Sequence, residues 1–180
     1  TLAIALAASL GALALALAAL EAEARHGRPI GAVWLIYLPF IMPQVAFLPG
    51  LQVMALQLGA KGSAATVAAA HLIFVLPYVW LSLAPAFRGW DGRIGLTAAA
   101  MGTKPARIFW RLRLPMLLAP VLTALAVGVA VSVGQYLPTL MLGGGRVETL
   151  TTEAVALSSG GDRRLIGATA LLQMALPAMG

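Results

Sequence analysis

The length of the apolar runs restricts this chain more than any other feature. Thr1 to Leu20 carries no charged side chain, and about 20 apolar residues, rising ~1.5 Å each as helix, suffice to cross a hydrocarbon core of ~30 Å. Four further runs follow: Ile30 to Leu58, Ala64 to Phe87, Leu114 to Tyr136, and one that opens near Leu165 and is still apolar at Gly180. Charged residues make up 10% of the 180, where a soluble chain carries about 25%. That is too little charge to cover a water-exposed surface. The fold class that follows is all-α: a polytopic transmembrane helical bundle of about five spans, one domain over residues 1–180. The chain starts at Thr1 and stops at Gly180 inside apolar runs, so the protein is expected to be longer at both ends; no signal-peptide pattern is present.

The second run is too long for one straight crossing, and Pro39, Pro43 and Pro49-Gly50 interrupt it. A kinked helix, or a short interfacial piece leading into the span, is expected there. The first run is rich in alanine and contains Gly11; small residues allow close helix contact in lipid, although low-complexity composition would look the same.

The net charge of +6 raises nucleic acid as a partner, and its distribution argues against it. Residues 88–113 hold Arg88, Arg93, Lys104, Arg107, Arg111 and Arg113 against Asp91 alone, whereas the polar connection from Leu137 to Arg164 is balanced. Positive-inside bias therefore puts 88–113 in the cytoplasm. Alternation puts the polar loop holding Glu21, Glu23, Arg25, His26 and Arg28 on the same side, and the Lys61 loop and 137–164 outside.

The basic loop has internal order. Ile94 to Met101 favours helix, Gly102 interrupts it, and Pro105 suits the first turn of a second short helix. Arg107 to Leu112 adds an amphipathic turn or two, and Leu114-Pro115 opens the fourth span. A basic amphipathic helix with Phe109 and Trp110 would also lie on anionic lipid. The segment LTAAAMGTKPARIFWRLRLP resembles the cytoplasmic signature loop of ABC importer permeases: Glu-Ala-Ala, three residues, Gly, then about a dozen residues to Leu-Pro. Ala98, Gly102, Pro105, Leu114 and Pro115 fall at matching positions; Leu96 stands where the family has Glu, and Thr97 at the first Ala.

Leu76-Pro77-Tyr78, the Val133-Gly134-Gln135-Tyr136 ending, Gly143-Gly144-Gly145 and Thr149-Leu150-Thr151 extend the similarity toward thiamine-, iron- and sulfate-type permeases, including fused two-half chains. Gln135 replaces a usual Glu. The resemblance implies a multi-pass bacterial inner-membrane subunit that performs no covalent chemistry. It implies ATPase-coupling residues Ala98, Gly102, Pro105, Arg107, Leu114 and Pro115. Its implied partners are ATPase subunits that use the ATP, an extracytoplasmic substrate-binding protein, and a second permease half (homodimeric, heterodimeric or fused).

Polar residues inside spans are candidates for a translocation path: Gln135 first, then Gln44 and His71. Each has a plainer reading, an interhelical hydrogen bond worth roughly 0.6 kcal/mol, and Gln52, Gln57 and Gln173 share both readings. Gly143–Gly145 lacks the Gly-Lys-Ser/Thr of a phosphate loop, and the chain has no metal-site pattern and no cysteine. Two rivals stand beside the importer reading. An ion-gradient-driven secondary transporter would call for broken helices and mid-membrane acids, of which only the first is met. An intramembrane serine protease would need a buried nucleophile and base, and Ser159 is expected in a polar loop.

Overall fold

The computed structural model describes residues 1–27, 31, 33–60, 62–160 and 163–178. Arg28, Ile30, Lys61 and Asp162, assigned to loops or span ends from the sequence, lie outside the described residues.

Helix α1 (Leu2–His26) opens the bundle. Its Ala5, Ala8, Ala12 and Ala16 are 0–1% exposed, while Leu2, Leu6, Leu10 and Leu15 are 44–52% exposed. Ile4, Leu13 and Leu20 are buried as well, but so many alanines inside and leucines outside invert the pattern of a helix in water. The inversion fits a lipid solvent, where close packing rather than apolar burial drives helix association. A Cβ on Gly11 would fall 2.6 Å from Leu72 Cδ1, and one on Gly128 would fall 3.1 Å from both Ser9 and Val79, so the alanine-rich run does serve packing. The helix also outlasts its expected end at Leu20. Glu21, Glu23, Arg25 and His26 form its last turns rather than a loop, because Glu21 pairs with Arg25 one turn on. It stops at Gly27, left-handed at φ 63, whose N–H bonds to Glu23 O.

A 3₁₀ turn (Val33–Tyr37) and short helix α2 (Leu38–Ile41) lead to α3 (Gln44–Gln57) through a bend of 112°. The break falls at Met42-Pro43, where the chain is extended (Pro43 ψ 131). The expected interruption is therefore at Pro43, whereas Pro49 sits inside α3. Helix α4 (Ala64–Arg88) is capped by the Ser63 side chain accepting from Thr66 N–H and runs through Pro77 and Pro85 to the basic end.

Beyond it lie α5 (Gly92–Ala100), α6 (Pro105–Ile108), a π-helical turn (Phe109–Arg113) and α7 (Leu114–Met116). The next helix, α8 (Leu118–Val133), is bent by 75° from the 105–116 stretch. The fourth span was expected to open at Leu114, but Leu114-Pro115 belongs to the surface element and the crossing helix starts at Leu118. Pro115 and Pro120 lack the N–H groups that would carry one ladder across the corner, and Leu117 turns it with φ −100 and ψ 16.

The 137–164 connection is also not a loop. It forms α9 (Leu137–Gly143) and α10 (Leu150–Gly160), which holds Ser159, before α11 (Arg163–Ala178). Helix α9 buries Pro138, Thr139, Leu142 and Gly143; an apolar turn beside the bundle packs rather than extending into water. Among the described residues, α1 and α4 are long and apolar enough to cross a bilayer, with up to four crossings if each bent pair is one span.

The core is shared by α1, α4 and α8. Ala12, Ala16, Leu20, Val79, Trp80, Leu83, Phe87 and Ala124 form one buried cluster, and Leu48, Val67, Phe74 and Leu142 belong to a second. One end of this bundle carries Arg25, Arg88 and Arg113; the other joins Leu150 N–H to Thr1 Oγ1 (2.7 Å) and Gly62 N–H to Leu142 O (2.9 Å). All three arginines lie at the end that charge bias assigns to the cytoplasm.

Candidate functional site

At the basic end, α5 begins at Asp91, whose side chain accepts from Arg93 N–H at 2.9 Å. It ends in a Schellman motif: Thr103 N–H bonds to Ala98 O at 3.0 Å and Gly102 N–H to Ala99 O at 2.9 Å. Gly102 adopts φ +81, and a Cβ there would meet nothing within 4 Å. The glycine is thus demanded by backbone conformation and not by crowding. Two of the signature positions, Ala98 and Gly102, are one structural device, a helix stop. Pro105 then starts α6 with the fixed φ of a first helical residue.

Leu117 anchors the element in the bundle, with Leu114 packed on the same cluster, while buried Ile108 faces Gly95 of α5. The element leaves Leu96 72% and Met101 82% exposed, and Pro105, Arg107 and Pro115 are exposed as well. Two large apolar side chains are thus displayed among cations on one short element. The helical element spans 92–116 and encloses the 94–112 expected to be ordered, while the expected 88–113 loop starts later because Arg88 is still the last residue of α4.

The three path candidates lie together nearer the other end. His71 and Ser132 are both 2% exposed. Ser132 Oγ lies 2.8 Å from His71 Nδ1, and Thr139 Oγ1 lies 2.9 Å from Nε2. Thr139 donates its one hydroxyl proton to Gln135 O at 2.9 Å, since a carbonyl only accepts. Nε2 must therefore carry a proton and donate to Thr139, and in a neutral imidazole Nδ1 accepts from Ser132. Gln135 Nε2 donates to His71 O at 3.3 Å, which closes a network across α4, α8 and α9.

A serine hydroxyl on an imidazole nitrogen has the geometry of an activated nucleophile. Here both groups are buried away from the adjoining cavity and His71 turns its other nitrogen to a threonine, so the arrangement is a latch. Among the described residues, no group of three His, Cys, Asp or Glu side chains could hold a metal ion.

Next to the latch is an open cavity of about 560 Å³. Gln44 and Gln135 line it together with Pro43, Phe74, Tyr78 and Gly134. The 112° bend before α3 makes one wall, bringing Gln44 across from Gln135, while Gln52, Gln57 and Gln173 do not line it. The sequence reading missed Ser132 and Thr139; a hydroxyl within an apolar run is a weak signal because it also bonds its own helix. It also missed the pairing of Glu21 with Arg113 and of Glu23 with Arg88.

No family model matches the chain. It is 46% identical over 145 residues to the inner membrane ABC transporter permease protein YnjC of Escherichia coli (strain K12), across 81% of this chain and 28% of that protein. It is also 32% identical over 124 residues to the molybdenum transport system permease protein ModB of Mycobacterium tuberculosis (strain ATCC 25618 / H37Rv) and of Mycobacterium bovis, across 62% of this chain and 47% of each. The aligned part is well under two thirds of these relatives' lengths. With a helix-stop signature loop on the basic end and relatives of this kind, the chain belongs to the ABC transporter permease family.

Proposed function

We propose that the chain is the membrane core of one permease half in a bacterial ATP-driven importer. It lines part of the translocation path and docks a separate ATPase subunit through the 92–116 element. The observation that carries this reading is the Schellman-terminated helix α5, which holds Leu96 and Met101 in the open on the cation-rich end. ATP is bound and hydrolysed by the partner. Closure of the ATPase pair moves the element, and the Gln44–Gln135 cavity alternates in access. A second permease half and an extracytoplasmic binding protein complete the assembly. The binding protein acts as trigger because a ligand shifts such an equilibrium only by its differential affinity for the two states. The molybdenum named for the ModB relatives is one substrate to try first.

The test is co-purification of the full-length permease with its ATPase. Gly102→Trp, which puts a large side chain on the docking face and strains the left-handed residue by roughly 1–2 kcal/mol, should abolish the complex. Gly102→Asn, which tolerates that conformation, should keep it. A complex that survives Gly102→Trp would overturn the docking role. Uptake that ignores ATP depletion and collapses with the proton gradient would assign the protein to secondary transport.

A further inference from the structure

We infer that Arg113 is the positioning residue of a joint that passes movement of the 92–116 element to α1 and α4; this rests on the coupling role proposed above. The element is not a rigid extension of either neighbouring helix. On one side α4 ends at Arg88 and a short non-helical link leads to α5; on the other, the chain turns 75° before α8. Neither backbone connection continues a helix into the bundle, so side-chain contact has to carry the movement.

Arg113 makes that contact in three directions. Its Nη1 donates to Glu21 Oε2 on α1, 92 residues away in sequence. Its guanidinium lies 4.3 Å from the Trp90 ring centroid and 5.1 Å from that of Phe87. Both partners of the ion pair are largely shielded, with side chains 14% and 15% exposed, and the other Glu21 oxygen accepts from Arg25 Nε at 2.9 Å. Glu21 is therefore fixed on α1 before Arg113 reaches it.

Trp90 is the second half of the joint. A Cβ on Gly95 would fall 3.1 Å from Trp90 Cη2, so the missing side chain on α5 is what lets the ring lie against that helix. The indole Nε1 donates to Met116 Sδ at 3.5 Å. One ring thus touches α5, α7 and the Arg113 guanidinium together. The other interhelical ion pair at this end, Arg88–Glu23, joins α4 to α1 without involving the element, and its Arg88 side chain is half exposed. A planar, always-charged guanidinium can pair with a carboxylate and stack on rings at once; a lysine ammonium does only the first.

The experiment uses the full-length permease with its ATPase in proteoliposomes, reading assembly, ATP hydrolysis and solute imported per ATP. Arg113→Gln should assemble and hydrolyse ATP while import per ATP falls about 5-fold or more, the lower range of measured coupling factors. Arg113→Lys, which keeps the charge but not the stack, should recover part of the loss. Gly95→Val, which displaces Trp90 and leaves the ion pair intact, should uncouple in the same way and decides the matter if Arg113→Gln does not assemble. Wild-type import per ATP in Arg113→Gln, or in Gly95→Val where the former is unfolded, overturns the joint while leaving the importer reading intact. Wild-type protein without ATP-driven uptake would instead sink the importer reading itself.

Discussion

Toward the outer end of the bundle, His71, Ser132, Thr139 and Gln135 tie α4, α8 and α9 together with uncharged hydrogen bonds of 2.8–3.3 Å. At the inner end, Glu21, Glu23, Arg88 and Arg113 tie α1, α4 and the 92–116 element with ion pairs and ring stacking. The two chemistries suit their depth. Charge inside a hydrocarbon layer is expensive, so the polar groups within the span are neutral and directional, and their partners are fixed by donor and acceptor type. Nearer the interface full charges are tolerated: the Glu21–Arg113 pair is largely shielded, with side chains 14% and 15% exposed, while Arg88 of the second pair is half exposed. The outer network depends on matched donors and acceptors, the inner one on charge.

The largest effect that would break this comparison is loss of the latch. His71→Ala should lower stability by about 2–4 kcal/mol, read as a fall in Tm in detergent, and should raise maleimide labelling of a cysteine placed at Leu142 as α9 loosens. An unchanged Tm would remove the distinction between the two ends. A mid-span control comes next: Gly128→Val, pressed on Ser9 and Val79, should cost about 1–3 kcal/mol by overpacking, equally at low and high salt. The smallest effect belongs to the exposed ion pair. Arg88→Gln should cost below about 1 kcal/mol and nothing measurable at 1 M salt, where the screening length is ~3 Å. The His71→Ala loss should persist in that salt; if both vanish together, the outer network is electrostatic after all.

Much of the fold was legible because lipid imposes a length and charge bias imposes a side. The helix stop at Gly102, the start at Pro105 and the break before α3 were also legible, since Gly and Pro act on their own backbone. The polar tail of α1 and the helices within 137–164 were not. Charge reads as a sign of loop, yet Glu21 and Arg25 face each other along one helix, and α9 packs against α4 and α3, contacts that no local pattern announces. Gln135, Gln44 and His71 were visible as polar residues in apolar runs. Their division into two cavity-lining carboxamides and one latched imidazole was not visible.

By itself the sequence determined that the chain crosses a bilayer several times, which end carries the positive charge, and where the surface element must break its helix. Each of these depends on residues close together along the chain. The partners of Glu21, Glu23 and His71 on other helices lie 61 to 92 residues away, and which of them meet depends on how each helix is rotated and how closely its neighbour approaches. Only the tertiary structure decides that, because packing of side chains from three helices sets both quantities at once.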